Sequence, residues 1–264
     1  MTLKGSGIAY IQFVRVHLIG ITRFRIDFFI GVLASLLENV LALVFLTVLF
    51  AQVNVLDGYR FGDLLLMFAF AALGRSVHLV LFDNLWVLGS RYIKQGDLDR
   101  VLVRPHGVLF QIVADRVNVQ ALGQVAAGIG ALAWGANAAD VRLGIAEFLL
   151  VLMLVASSGL IFVLVHLLCA SISFWVIDSS AIMGAVFSLS SFGQYPIGIF
   201  PALLSGVIVS VIPFAFTGYV PSVLLTDGLQ LGWCLGLAAV LAVLFVAAGQ
   251  AWRRGLQRYA GAGN

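Results

Sequence analysis

The stretch that decides the fold is Ser179–Thr226, SSAIMGAVFSLSSFGQYPIGIFPALLSGVIVSVIPFAFTGYVPSVLLT. It runs 48 residues without a Lys, Arg, Asp, Glu or His and holds four of the chain's five prolines. A hydrocarbon core about 30 Å thick is crossed by about 20 helical residues, so the run is too long for one crossing. Two full crossings would place Arg253, Arg254 and Arg258, which follow the apolar span Leu229–Ala251, outside the cell. The positions of the other Lys and Arg residues argue against that. A segment that enters the membrane and returns on the same side satisfies both constraints.

Working outward, 62% of the 264 residues are hydrophobic and only 10% are charged. A soluble domain of this size needs far more charge to cover its surface. The composition therefore predicts an all-α polytopic membrane protein. The net charge of +3 sits at the predicted membrane boundaries, so no nucleic-acid partner is implied. Cys169 and Cys234 both fall inside apolar spans, without the close Cys/His spacing that a zinc site or disulfide framework needs. No metal site is expected. The first 27 residues carry dispersed basic residues rather than the layout of a cleavable signal.

Residues 1–27 mix apolar positions with Gln12, Arg15, His17, Arg23 and Arg25. They read as an interfacial helix on the inner leaflet, or else as an inward extension of the first span. Spans are predicted over about Phe28–Phe50, Leu64–Leu88, Val108–Trp134 and Ile145–Ile172. A fifth helix follows Asp178, then the proline-rich dip over 195–226, then the last span. Lys and Arg concentrate in the cytoplasmic loops of membrane proteins. Four lie in the N-terminal segment (Lys4, Arg15, Arg23, Arg25), four in the polar segment Gly89–His106 (Arg91, Lys94, Arg100, Arg104) and three in the tail. The two opposite loops hold one each, Arg60 and Arg142. Six membrane crossings with both termini cytoplasmic account for this pattern.

Within the polar segment, Gly96 is suited to end one short helix and Asp97 to start the next, with Asp99 near its positive dipole end. Leu98, Val101 and Leu102 fall at i, i+3 and i+4 and make one apolar face, and Pro105 stops the helix. So short a helix is marginal alone. Its face is expected to dock on a partner or to lie on lipid headgroups.

Charges inside spans cost about 2.5–3.5 kcal/mol each at mid-helix and demand an explanation. Glu38 and Arg75 fall at matching depths in the first two spans, which predicts an ion pair, either structural or in the transport path. His78 shares the Arg75 face. Asp115 and Arg116 read as residues two turns into the third span, Arg116 snorkelling and Asp115 pairing with Arg91 or Arg104. Asp83 and Asn84 read the same way. His166 and Glu147 stand at opposite ends of span four and cannot form a zinc pair, and Asp178 reads as a helix cap. Gly228, Gly232 and Gly236 offer a small-residue face for close helix packing, within the chain or between subunits. In the dip, Tyr195, Pro196, Phe200, Pro201, Pro213, Phe214 and Phe216 are expected to form either an extracellular gate or a passive plug, since broken helix at membrane depth must be covered by protein or water.

The strings Gln95–Pro105 (QGDLDRVLVRP), Ser173–Trp175 (SFW), Tyr195–Pro201 (YPIGIFP) and Trp252–Tyr259 (WRRGLQRY) resemble, in order and over nearly the whole chain, the permease subunits of bacterial ABC-2-type exporters. The branch resembled is the one in which two non-identical half-permeases pair, and the resemblance implies the bacterial cytoplasmic (inner) membrane as its location. The resemblance implies a single permease domain over 1–264: an interfacial helix, six spans and a re-entrant hairpin before the last span. It also implies that Gln95, Gly96, Asp97, Leu98, Asp99, Arg100, Val101, Leu102, Arg104 and Pro105 contact a separate ATPase subunit, present in two copies. The only lysines, Lys4 and Lys94, lie outside any G-x-x-x-x-G-K-[ST] loop. ATP and Mg are therefore expected on that partner, and this chain is not expected to be an enzyme. The cargo expected from apolar, Phe-rich spans is amphiphilic: a drug, a lipid or a lipid-linked molecule. A different reading is an ATP-independent secondary transporter or channel with Glu38, Arg75 and His78 as its relay.

Overall fold

The computed structural model describes residues 25–142, 144–176 and 178–259. The interfacial helix expected over 1–27 lies outside these, apart from its last residues, which open α1 (Arg25–Phe50). The other elements are α2 (Phe61–Phe82), α3 (Asp97–Leu102), α4 (Val108–Ala114), α5 (Leu122–Ala138), α6 (Ile145–Ser171), α7 (Ser173–Val176), α8 (Ser180–Leu189), α9 (Ala202–Gly206), α10 (Tyr219–Thr226) and α11 (Leu231–Arg258), joined by short 3-10 and π turns. There is no named strand among the described residues. Among the described residues five helices are long and apolar enough to span a membrane, Ile26–Phe50, Phe61–Ile93, Val119–Ala138, Ile145–Val176 and Leu231–Arg258, or six if the bent pair Ala202–Val211 and Phe214–Thr226 makes one span.

Helix α2 is apolar on nearly every side and is accordingly the buried centre of the bundle. Its neighbours α5 and α6 approach closely because small residues line both crossings. A Cβ on Gly135 would press on Leu65 and Leu66, one on Gly62 would meet the Ala138 backbone, and one on Gly74 would land on Ser158. Ser158 donates to the Thr217 carbonyl at 2.8 Å and lies 3.3 Å from that of Phe70, tying three elements at one buried point. The outer faces of α1 and α11 instead expose rows of large apolar side chains such as Leu33, Leu37, Leu41, Leu235 and Phe245, the surface a bilayer solvates.

One expectation is corrected here and another is narrowed. The third span does not run unbroken from Val108. It is interrupted at Asp115–Asn118, where the Asn118 amide donates to the Val80 carbonyl (3.0 Å) and the Asn118 side chain accepts from Gln120 N. Asp115 and Arg116 thus lie in a polar break before the spanning part, which begins at Val119. Of the two roles open to the Gly228/Gly232/Gly236 face, packing inside the chain is met only at Gly236. Gly228 is a turn residue at φ +87°, nothing lies near a Cβ placed on Gly232, and only Gly236 meets a neighbour, the Phe216 ring.

The charge-free run is broken where its prolines dictate. Tyr195, Phe200 and Ile212 precede prolines and all leave the helical region, the first two extended and Ile212 at φ −125°, ψ 87°, since the pyrrolidine ring disfavours helix at the preceding residue. Pro221 sits in the first turn of α10, where a missing N–H costs nothing. The helical stretches Ala202–Val211 and Phe214–Thr226 meet at 68° across Ile212–Pro213. Both flanks of this bent pair lie at the end of the bundle that carries the α1–α2 loop: Gly198 abuts Asp57, and Ser222 donates to the Asp63 carbonyl at 3.2 Å. Between them Phe214 is driven into the core against Phe162, ring centroids 5.3 Å apart. The opposite end holds residues 89–106 and the C-terminal turn of α11.

Candidate functional site

The polar segment folds as a small scaffold at that opposite end. After α2 the chain tightens into 3-10 and π turns, and Gly96 enters the left-handed region at φ +78°, a conformation glycine adopts without Cβ strain, to launch α3. Arg91 holds the scaffold together. Its Nε donates to Asp97 at 3.0 Å and one terminal nitrogen donates to Asp115 at 2.9 Å. Tyr92 donates its hydroxyl proton to the same Asp115 oxygen (2.9 Å) and accepts from Asn84, which also donates to the Ile112 carbonyl. Gln111 donates to the carbonyls of Val101 and His106, clamping both ends of the α3–α4 turn. Asp115 thus pairs with Arg91, and Arg116 lies 3.9 Å from Asp83.

The apolar face of α3 is split. Leu98 is 0% exposed and Val101 7%, both packed into the core beside Leu85, Leu88, Tyr92 and Ile112. The expectation that Leu98, Val101 and Leu102 together face a partner is corrected: the first two anchor the helix to its own chain. What faces outward is Leu102 at 44% exposure and Val103 at 85%, with Arg100, Arg104, Pro105 and Gln95 around them. Sequence spacing alone missed Val103, because it falls one residue past the helix.

The C-terminal turn of α11 closes on the same scaffold. Gly255 admits the Phe174 ring, which also packs edge-on to Trp252 at 5.5 Å. Tyr259 lies beside Asp99, and burial with that carboxylate pushes its phenol above the ordinary range. At the head of α8, Asp178 accepts from the Ser180 amide at 2.9 Å, which holds its carboxyl below the usual range.

A model of the ABC-2 family transporter proteins matches residues 36–263. The chain belongs to the ABC-2 transporter family. No curated protein matches it significantly.

Mid-bundle, the permease places Glu38 and Arg75 on one cavity of about 280 Å³ without closing them to ion-pair distance. The expected direct pair is thus replaced by two charges that share a polar space. Asn39, Gln120 and Gln124 line it as well, residues that sequence reasoning passed over although Gln120 and Gln124 stand one helical turn apart. Arg75 lays its guanidinium over Phe187 (5.3 Å) and Phe162 (6.0 Å), and its Nε is buried without a hydrogen-bond partner.

His78 does not line this cavity. It stacks on His166 with ring centroids 3.9 Å apart, both rings fully buried, and His166 Nδ1 donates to the Phe162 carbonyl at 2.8 Å. A carbonyl only accepts, so that nitrogen carries the proton. Among the described residues no group of three or more metal-ligating side chains forms.

The residues expected to form an extracellular gate are dispersed. Phe214, Phe216 and Pro213 are buried in the core, Phe200 packs on Phe192, Tyr195 joins the cluster around Leu46 and Tyr59, and Pro201 is exposed. Tyr59 and Tyr219 meet hydroxyl to hydroxyl at 2.9 Å, fastening the bent pair to the α1–α2 loop. Neither the sequence motif nor the charge pattern pointed to this contact.

Proposed function

We propose that the permease is the membrane half of an ATP-driven exporter for amphiphilic compounds, and that an ATPase subunit grips it on the ridge Leu102–Pro105. The observation that carries this reading is the split face of α3. Leu98 and Val101 fix the helix to the core while Leu102 and Val103, rimmed by Arg100 and Arg104, stand unburied in this chain. Exposed apolar side chains among charges suit a partner surface better than water. The Arg91 network and the Tyr259–Asp99 contact then convey movement of the ridge to α2, α4 and α11. ATP binding shifts the assembly between inward- and outward-facing states in proportion to its differential affinity for them.

In this reading residues 89–106 and both termini lie in the cytoplasm, and the membrane is the bacterial inner membrane, as the Lys and Arg distribution supports. The bent pair dips into the membrane from the outside and returns, its tip Phe214 plugging the core beside Phe162. Two copies of the ATPase, holding ATP and Mg, and a second half-permease of different sequence complete the complex. The ATP-independent relay is disfavoured because His78 stacks on His166 away from the Glu38–Arg75 cavity.

Co-purification tests this reading. The wild-type chain expressed with its ATPase should retain it in mild detergent, and Leu102→Asp with Val103→Asp should release it without shifting the melting temperature. Retention by the double variant would contradict the ridge assignment.

A further inference from the structure

Glu38 and Arg75 place an anion and a cation on the wall of one cavity. It is walled by α1, α2 and the start of α5, with Phe187 of α8 closing one side. It extends from mid-depth toward the end that carries residues 89–106, since Asn118 and Gln120 line its mouth. The lining gathers one cation, one anion and several amides. Holding charges at such depth is costly, and here they do not neutralise each other directly. Several donors and acceptors are already spent on the protein: Asn39 donates to the Ser35 carbonyl and Gln124 to that of Ala72. Arg75 Nε makes no hydrogen bond, and Arg75 and Glu38 form no ion pair among the described residues.

An apolar occupant would leave both charges desolvated, and a singly charged one would meet a partner and a repeller together. A headgroup carrying an anion and an ammonium satisfies both, the anion accepting from the planar Arg75 donor fork and the ammonium donating to Glu38. We propose that this cavity is the headgroup site of the cargo and that the cargo is a zwitterionic amphiphile, a phosphodiester bearing an amine. The inference rests on the exporter reading and deepens it by naming the class of molecule carried.

The test uses the full chain in a non-ionic detergent, titrated calorimetrically with dihexanoyl phosphatidylethanolamine, dihexanoyl phosphatidylglycerol or free phosphoethanolamine. The wild type should bind the ethanolamine lipid about tenfold or more tightly than the glycerol lipid. Weak binding of free phosphoethanolamine would assign the site to an amphiphile, whereas equally tight binding would make the small zwitterion the ligand and overturn the cargo class. Arg75→Gln should weaken both lipids about tenfold or more, and Arg75→Lys should recover part of that loss. Glu38→Gln should erase the preference for ethanolamine while leaving the glycerol lipid bound at least as well. Glu38 is an exposed residue on the cavity wall, so this variant keeps the proposal testable if Arg75→Gln does not fold. No preference in the wild type, or a preference untouched by Glu38→Gln, overturns the proposal and leaves a cavity for water alone. Because these titrations need no ATPase, their failure is distinct from failure of the exporter reading, which ATPase co-purification decides.

Discussion

Arg91 reaches Asp115 at 2.9 Å while its Nε holds Asp97 at 3.0 Å, so one guanidinium fastens the start of α3 to the end of α4. Both partners of the Arg91–Asp115 pair keep roughly two-fifths of their side-chain surface in solvent (44% and 38%). Screening therefore limits the pair's worth to about 0.2–1 kcal/mol. Its role is positional. Arg91→Gln should lower the melting temperature little yet cut nucleotide-driven transport severely, and a double-mutant cycle with Asp115→Asn should return a coupling energy in that small range. A large stability loss with intact transport would reverse the assignment.

Leu98 and Val103 differ by five positions and should behave oppositely. Leu98→Ala empties a fully buried site and should cost about 2–5 kcal/mol. Val103→Ala should leave thermal unfolding within about 0.5 kcal/mol of wild type and weaken ATPase binding. Thermal melts paired with co-purification separate the two effects.

The Tyr59–Tyr219 contact sets a pH dependence. Burial first, then the Tyr219 hydroxyl, push the Tyr59 phenol above its ordinary value near 10. A raised value means the folded state holds the proton more tightly than the unfolded state. The associated stability is complete below about pH 10 and is lost as pH climbs from there toward the folded value. Tyr59→Phe should flatten this alkaline loss and cost about 1 kcal/mol at neutral pH. Melting curves between pH 8 and 11 on both proteins, a span chosen around the ordinary phenol value, would show it.

Two glycines provide a contrast. A Cβ on Gly218 would fall about 2.5 Å from the Gly193 carbonyl and 2.6 Å from that of Met67, so Gly218→Ala must displace backbone. A Cβ on Gly232 meets nothing within 4 Å. Gly218→Ala should destabilise by several kcal/mol or prevent assembly. Gly232→Ala should be neutral in the isolated chain, with a loss appearing only if a second permease packs there. Expression level and melting temperature check the first, and co-purification of the second permease the other.

The all-α, multi-pass character was legible because it is written in local quantities. Charge-free length and proline position act through the bilayer and the backbone, without knowledge of which helices touch. The breaks at Tyr195, Phe200 and Ile212 follow from the prolines alone. What stayed hidden depends on three-dimensional pairing. The i, i+3, i+4 spacing of Leu98, Val101 and Leu102 identified a helix face but not what it meets, and the core claimed two of the three. The break at Asp115–Asn118 arises because Arg91, Tyr92 and Val80, distant in sequence, satisfy those polar groups. Glu38 and Arg75 were matched by depth, yet depth leaves rotation about the helix axis open. That rotation separates an ion pair from a shared cavity.

The most direct measurement of the central claim is the position of Val103. In a cysteine-free background of the assembled complex, Val103→Cys should cross-link to the ATPase subunit. In intact cells it should stay silent to a membrane-impermeant maleimide. Labelling from outside, or no cross-link from any position between Leu102 and Pro105, would contradict an ATPase grip on this ridge.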